Sequence, residues 1–397
     1  MTEKNGRAAV YLIDCPDYGT ETVEKAFAAA LAALGGWEAL LPDKGERILL
    51  KPNLLTKADP DRAVTTHPAV FGAVCASLKR AGYERLFFGD SPGVPYPGAD
   101  KIAQACGITA AAEPWGARQA DFSGGREYAF PDGKTAKSFI IANGVLSCDR
   151  IVNLCKLKTH MLERMTGAQK NLFGIVYGLN KGACHVKHPN AAEFAGMLAD
   201  LNRAFPPVLH VMDAVDAMEG NGPSSGTKKH LGKLLVSTDP VALDTVACSL
   251  IALDPALVPT NRRGAMGGVG IDDPARIDVW ADGERLAPAE VRARFGDESF
   301  DVYRGKADRG NIKQLRFLSP LLKKRPRVDP ERCVGCGICV RACPLYPKAL
   351  AMPEGKRLPA YDYKRCIRCF CCQEMCPQGA ISVKQPVLAR LVDRNLK

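Results

Sequence analysis

The 397-residue chain has no run of eighteen or more apolar residues, so no membrane-spanning helix is predicted. Its first residues, MTEKNGRAAVYLIDC, pass directly into a strand-like segment. They lack the cationic stretch, apolar core and small-residue cleavage site of an export signal, and the chain is expected in the cytoplasm. No G-x-x-x-x-G-K-[ST] loop is present, and no G-x-G-x-x-G follows a strand-like run. GAMGGVG at 264–270 precedes a strand-like segment instead of opening a helix. These absences argue against a nucleoside triphosphate or nicotinamide site and leave flavin open. No recognisable nucleic-acid-binding motif accompanies the basic residues, so no nucleic-acid partner is expected. Histidine is scarce, six in all. That narrows the imidazole candidates to His160 at a strand end and to His185 and His188 in CHVKHP, read as a surface loop.

Cysteine, by contrast, is abundant, with sixteen residues. Seven (Cys15, Cys75, Cys106, Cys148, Cys155, Cys184, Cys248) are scattered and read as small buried hydrophobes. The other nine lie in CVGCGICVRACP (333–344) and CIRCFCCQEMCP (366–377), two copies of C-x2-C-x2-C-x3-C-P. Three cysteines at this spacing wrap one corner of a cubane, and the fourth reaches the neighbouring cluster. One [4Fe–4S] cluster is therefore expected on Cys333, Cys336, Cys339 and Cys376, and a second on Cys366, Cys369, Cys372 and Cys343. Cys371 is left over as a bystander. Two zinc sites are the alternative, but zinc ribbons pair isolated C-x2-C knuckles.

The charge is placed unevenly. Residues 301–397 hold 21 Lys and Arg against 8 Asp and Glu, a balance of +13, and the other 300 hold 33 against 35. The basic excess offsets the negative charge of thiolate-bound clusters and presents a cationic face to acidic electron-transfer partners.

Residues 1 to about 300 alternate strand-like and helix-like runs. The expected fold is α/β, a mostly parallel sheet with flanking helices, plus a small α+β dicluster module. The expected division is an α/β domain over 1–305, a basic linker over 306–327, the dicluster module over 328–385 and a helical tail over 386–397. Helix starts are placed at Thr66 as N-cap before Pro68, and at Asp239 as N-cap before Pro240.

Polar residues gather where strands stop: Lys51 and Asn53, Asp90 and Ser91, Lys156, Lys158 and His160, then Asp213 followed by Glu219. Ligands of open α/β sheets bind at the carboxyl ends of strands. A single crevice is expected, basic at Lys51, Lys156, Lys158, His160 and Lys170, and acidic at Asp90, Asp213 and Glu219. Buried lysines are rare without a partner, and alternation puts Lys156 and Lys158 on one face. In this reading the lysines grip a small anionic or carbonyl-bearing molecule, Asn53 and Asn171 orient it, and Lys158 or His160 supplies a proton. Asp213 and Glu219 pair with lysines or hold a divalent ion. A soluble protein donates or accepts the electrons. The rival reading is a non-catalytic electron carrier or adapter whose α/β domain docks a partner enzyme or senses a metabolite.

KPN (51–53), GDSPG (89–93), KLKTH (156–160), GAQKNLFG (167–174), the aspartate- and glycine-bearing segment 213–226 and DPVALD (239–244) together resemble the DUF362 family. CIRCFCCQEMCPQGAI resembles the ferredoxin module often fused to it. The resemblance implies an iron–sulfur fusion protein and a shared set of crevice residues, and it supplies no substrate. One departure is Cys155, where the family pattern has proline before Lys156.

Overall fold

The computed structural model describes residues 6–93, 98–305, 323–384 and 386. Most of the expected linker and tail, 306–322 and 387–397, lies outside the described residues. The strands of the large domain are β1 (Ala8–Asp14), β2 (Ile48–Pro52), β3 (Leu86–Phe88), β4 (Arg118–Gln119), the hairpin β5 (Gly125–Ala129) and β6 (Ser138–Ala142), β7 (Arg150–His160), β8 (Arg164–Thr166), β9 (Leu209–Glu219), β10 (Thr227–Ser237), β11 (Ile277–Ala281) and β12 (Glu284–Leu286). All but β5 and β6 join one sheet in the order β12-β11-β1-β10-β9-β7-β2-β3-β4, with β8 folded back on β7. The block from β9 through β7, β2 and β3 to β4 is parallel throughout. β1 also runs parallel to β11, whereas β10 is antiparallel to both its neighbours.

Alternation assigns the two faces. Ala9 and Tyr11 of β1, Ile48 and Leu50 of β2 and Val152 and Leu154 of β7 face helices Thr20–Ala33 and Pro68–Arg80. Ala8, Val10, Leu12, Cys155 and Leu157 face the fully buried helix Pro240–Leu250. Leu49 and Ile151 pack with Phe194 and Leu198 of helix Ala191–Ala204. Helices on both faces of the sheet make this an α/β domain.

The Asp239 cap is as expected, its carboxylate accepting from the N–H groups of Val241 and Ala242. The other expected cap moves by one residue. His67 Nδ1, not Thr66, accepts from Ala69 N–H at the head of Pro68–Arg80. Thr66 is drawn inward, because its hydroxyl accepts from Asn53 N–H and donates to Leu154 O.

The C-terminal module contains β13 (Arg325–Val328), β14 (Leu350–Ala351), β15 (Ala360–Tyr361) and β16 (Ile381–Lys384), paired as two small antiparallel ladders. β13 begins inside the stretch read as linker. The two cysteine loops are conformational copies. Gly335 (φ 74°) and Gly337 (φ 70°) in the first match Arg368 (φ 60°) and Phe370 (φ 64°) in the second. The left-handed backbone that the glycines adopt freely is thus imposed on two side-chain-bearing residues. Gly337 opens helix Ile338–Ala342, and Phe370 opens helix Cys371–Glu374.

Candidate functional site

β2 ends opposite Leu154, so β7 runs six residues past its neighbour. This overhang carries Lys156, Lys158 and His160, and each is almost wholly buried. Burying a cation requires compensation, and the three find it in different places.

Lys156 Nζ lies 2.8 Å from Asp213 Oδ2 and donates to Tyr18 Oη at 2.8 Å. Asp213 also accepts from Tyr18 Oη and from His67 N–H, and Tyr18 stacks on His67 with centroids 3.5 Å apart. The pair is completely buried and stands apart from the Lys158 and His160 cluster described next, so the single expected crevice divides into two polar centres. Glu219 lies apart from both, its Oε2 accepting from Asp301 N–H. Cys155 points to the opposite face, into the apolar core with Leu157, Met165 and Met212.

Lys158 has no carboxylate. Its Nζ donates to Asn53 Oδ1 at 2.9 Å and Val64 O at 2.6 Å. Burial, aided by the nearby Lys170, pushes its pKa down to about 7. Behind it runs a buried amide chain. Asn53 Nδ2 donates to Asn171 Oδ1, Asn171 Nδ2 to Asn153 Oδ1, and Asn153 Nδ2 to Ala168 O. Lys51 sits 3.1 Å from Asp90, whose other oxygen accepts from Leu54 N–H. A Cβ at Gly174 would overlap both partners of that pair, which explains the glycine at the end of GAQKNLFG.

His160 is fixed by three hydrogen bonds. Nδ1 accepts from the N–H groups of Leu162 and Glu163, so the ring proton is on Nε2, 2.7 Å from Glu374 Oε1. Burial first, then Lys170, holds its pKa down at about 4. A neutral imidazole therefore ties the overhang to the helix between the second-loop cysteines. Beside it, Ser224 Oγ donates to Glu374 O, and Gln373 Nε2 donates to Asn221 O and Gly222 O. Glu374 had no part in the sequence reading. Its signal was a carboxylate between two cysteines of the second C-x2-C-x2-C-x3-C-P copy in an otherwise basic module.

A cavity of about 420 Å³ lies along this junction. The α/β domain lines it with Asn53, Asp90, Lys170, Asn171, Lys181 and His185, and the C-terminal module with Arg341, Cys343, Lys348, Cys371 and Glu374. Of the sequence-selected residues, Asn53, Asp90, Ser91, Lys170 and Asn171 reach it directly. Lys51, Lys158 and His160 stand behind Asp90, Asn53 and Glu374. Lys156 and Asp213 belong to the other centre. Lys181 and His185 were missed as a pair. They lie on helix Asn180–Lys187, not in a surface loop, and their spacing of four residues places them on one face. His185 stacks on Phe194 with centroids 4.3 Å apart, and burial lowers its pKa to about 4. His188 ends the helix.

Two smaller cavities occupy the module. One is lined by Cys333, Cys336, Cys339 and Cys376 with Val328, Ile338 and Ile381. The other is lined by Cys343, Cys366, Cys369 and Cys372 with Leu350, Tyr361 and Phe370. Each presents four thiols on apolar walls, with no carboxylate or imidazole, a donor set that fits an iron–sulfur cluster. Among the described residues, no three His, Cys, Asp or Glu side chains converge closely enough for one metal ion. Cys371 opens onto the large cavity, whereas Cys343 borders both the large cavity and its own thiol set.

Among the described residues no helix is long and apolar enough to cross a membrane. The family model for a domain of unknown function, DUF362, matches residues 48–249, and a 4Fe-4S dicluster domain matches residues 325–377. A Synechocystis sp. protein described as thylakoid-associated protein sll1697 is 32% identical over 326 residues, spanning 75% of this chain and 99% of that protein. The solved lactate racemase apoprotein from Thermoanaerobacterium thermosaccharolyticum aligns at 9% identity and a TM-score of 0.41. That alignment covers 60% of this chain and 56% of the racemase chain, a likeness too slight to bear on activity. The chain belongs to the DUF362 family and carries a ferredoxin-type 4Fe-4S dicluster domain after its α/β domain.

Proposed function

We propose that the protein is an iron–sulfur oxidoreductase in which two [4Fe–4S] clusters, one on Cys333, Cys336, Cys339 and Cys376 and one on Cys343, Cys366, Cys369 and Cys372, pass single low-potential electrons to a small anionic or carbonyl-bearing molecule in the large cavity. The supporting observation is the shared wall. Cys343 of the second thiol set and Asn53, Lys170 and Asn171 of the α/β domain border one space, so a molecule bound there lies between the two.

The surrounding residues suit that role. Asn53 and Asn171 are held by the amide chain and orient a ligand without moving. Lys170 and Lys181 stabilise negative charge as it develops. Proton supply falls to Lys158. His160 is a poor donor, because protonating Nδ1 would break two backbone hydrogen bonds. The first thiol set faces outward, with Cys336 exposed and Val334 beside it exposed. It offers a soluble donor protein a landing place among arginines and lysines. The carrier reading accounts for this outer face but gives the inner cavity no task.

Anaerobic purification with iron, sulfide, zinc and flavin analysis and redox-poised EPR tests the first half. About eight iron and eight sulfide per chain are expected, and zinc without sulfide would overturn the redox reading. For the second half, dithionite-reduced protein is mixed with oxo acids, unsaturated carboxylates and aldehydes. Reoxidation by at least one class is expected, and it should be abolished by Lys158→Met with iron content intact. Reoxidation only by redox proteins would favour the carrier. We place the protein in the cytoplasm. Recovery in the membrane fraction would replace that with the kind of association named for the Synechocystis relative.

A further inference from the structure

We propose that the ligand of the large cavity is a monocarboxylate with a compact apolar body, its carboxylate seated on the Lys170 ammonium. This rests on the reading of that cavity as the substrate site and adds the chemical class.

The cations of the region show which position is unfilled. Lys51 faces Asp90, and Lys156 faces Asp213. Lys158 donates to Asn53 and Val64 O, Lys181 to Ser91 O, and Lys348 to the carbonyls of Arg341 and Cys343. Lys170, half-buried on the cavity wall, has no hydrogen bond or ion pair among the described residues. A partly desolvated ammonium without a partner points to a ligand that supplies one. A second group points the same way. His185 lines the same cavity at 5% exposure, and its Nδ1 has no hydrogen-bond partner.

The rest of the wall selects among anions. Lys170, Lys181, Arg341 and Lys348 face Asp90 and Glu374, and Asp90 is already matched by Lys51. The surplus is positive, yet Glu374 opposes a second negative charge on the ligand. Leu54, Leu55, Pro92, Phe173, Leu179 and Met375 complete the lining. Inorganic phosphate would leave that apolar surface uncovered, whereas a carboxylate on an apolar body covers it and still meets the ammonium.

The test is calorimetric titration of the oxidised holo-protein with benzoate, with benzamide as its neutral counterpart and with inorganic phosphate. Benzoate is expected to bind about ten- to a hundredfold more tightly than benzamide, the range for one charge-assisted hydrogen bond. Lys170→Met should remove that advantage, and Lys170→Arg should keep most of it, both with unchanged iron and sulfide. If Lys170→Met loses its iron, displacement of benzoate from the wild-type and Lys170→Arg proteins by other carboxylates gives the same reading. Failure of benzoate to bind, equal binding of benzamide, tighter binding of phosphate, or undiminished affinity in Lys170→Met would each overturn the proposal. No reductant is present, so the result stands apart from electron delivery. Benzoate held at Lys170 in a protein that no small molecule reoxidises would keep this inference and remove the redox one.

Discussion

Four lysines at one sheet edge meet three different fates, decided by partner and not by depth. Lys51 and Lys156 are paired with carboxylates, Lys158 is held by uncharged acceptors, and Lys170 has no partner among the described residues. The distinction has a measurable sign for Lys158. Folding takes its pKa from 10.5 to about 7, so between these values the unfolded chain binds more protons. The site's cost to stability is complete below about pH 7 and is relieved as pH rises towards 10.5. Lys181, also lowered to about 7 by burial, adds in the same direction. Lys158→Met is therefore expected to flatten the rise of urea-unfolding stability over that window. If Lys158 donates the proton, as proposed, it does so in the charged form, and turnover of the wild-type protein should fall as pH rises through about 7. An unchanged stability slope would mean the ammonium is solvated.

The residue types were legible in the sequence, because cations and amides at strand ends stand out against apolar strands. Their partners were not. Alternation correctly put Lys156 and Lys158 on one face, but the ladder to β9 shifts register between them. That shift sends one ammonium to Asp213 and the other to Asn53. His185 was misread because CHVKHP resembles a polar loop until the preceding Lys181 is placed one helical turn away.

Among the elements, the two cysteine loops invite direct comparison. Their spacing showed that they repeat, and the backbone shows at what cost. Gly335→Ala would place a Cβ 2.9 Å from Arg357 Cγ and 3.1 Å from Arg357 O, at φ 74°. A loss of about 1–2 kcal/mol is expected from the left-handed backbone alone. In the second loop, Arg368→Gly should recover a similar amount, less the hydrogen bond from Arg368 Nη1 to Cys366 O. Anaerobic denaturant titration with iron release as the signal checks both, and equal midpoints for the two variants would show that φ does not control loop stability. Strands β5 and β8 went unread, since runs of three to five mostly polar residues carry too little periodicity to stand out.

The whole molecule shows a division of labour that neither half of the sequence displayed. The α/β fold followed from alternating strands and capped helices, and the dicluster module from cysteine spacing. Their contact did not follow, because it rests on Asn221, Ser224, Gln373 and Glu374, ordinary polar residues in turns and a four-residue helix. The charge split reads differently in this light. Residues 323–384 hold thirteen Lys and Arg against five Asp and Glu, and part of that excess faces inward, where Arg341 and Lys348 line the cavity.

The anchoring of helix Cys371–Glu374 also sets an order of manufacture. Gln373 is fully buried against the α/β domain, and Cys372 beside it is nearly so. Iron delivered after that helix has docked would meet a Cys372 whose neighbour Gln373 is already pinned to Asn221 and Gly222. Maturation should therefore run metal first and docking second, with the junction acting as a seal on a finished part. Hydrogen exchange at residues 219–225, followed through anaerobic reconstitution, should gain protection only after iron uptake. Protection that precedes iron would reverse the order and make the α/β domain a mould for the module instead of its lid.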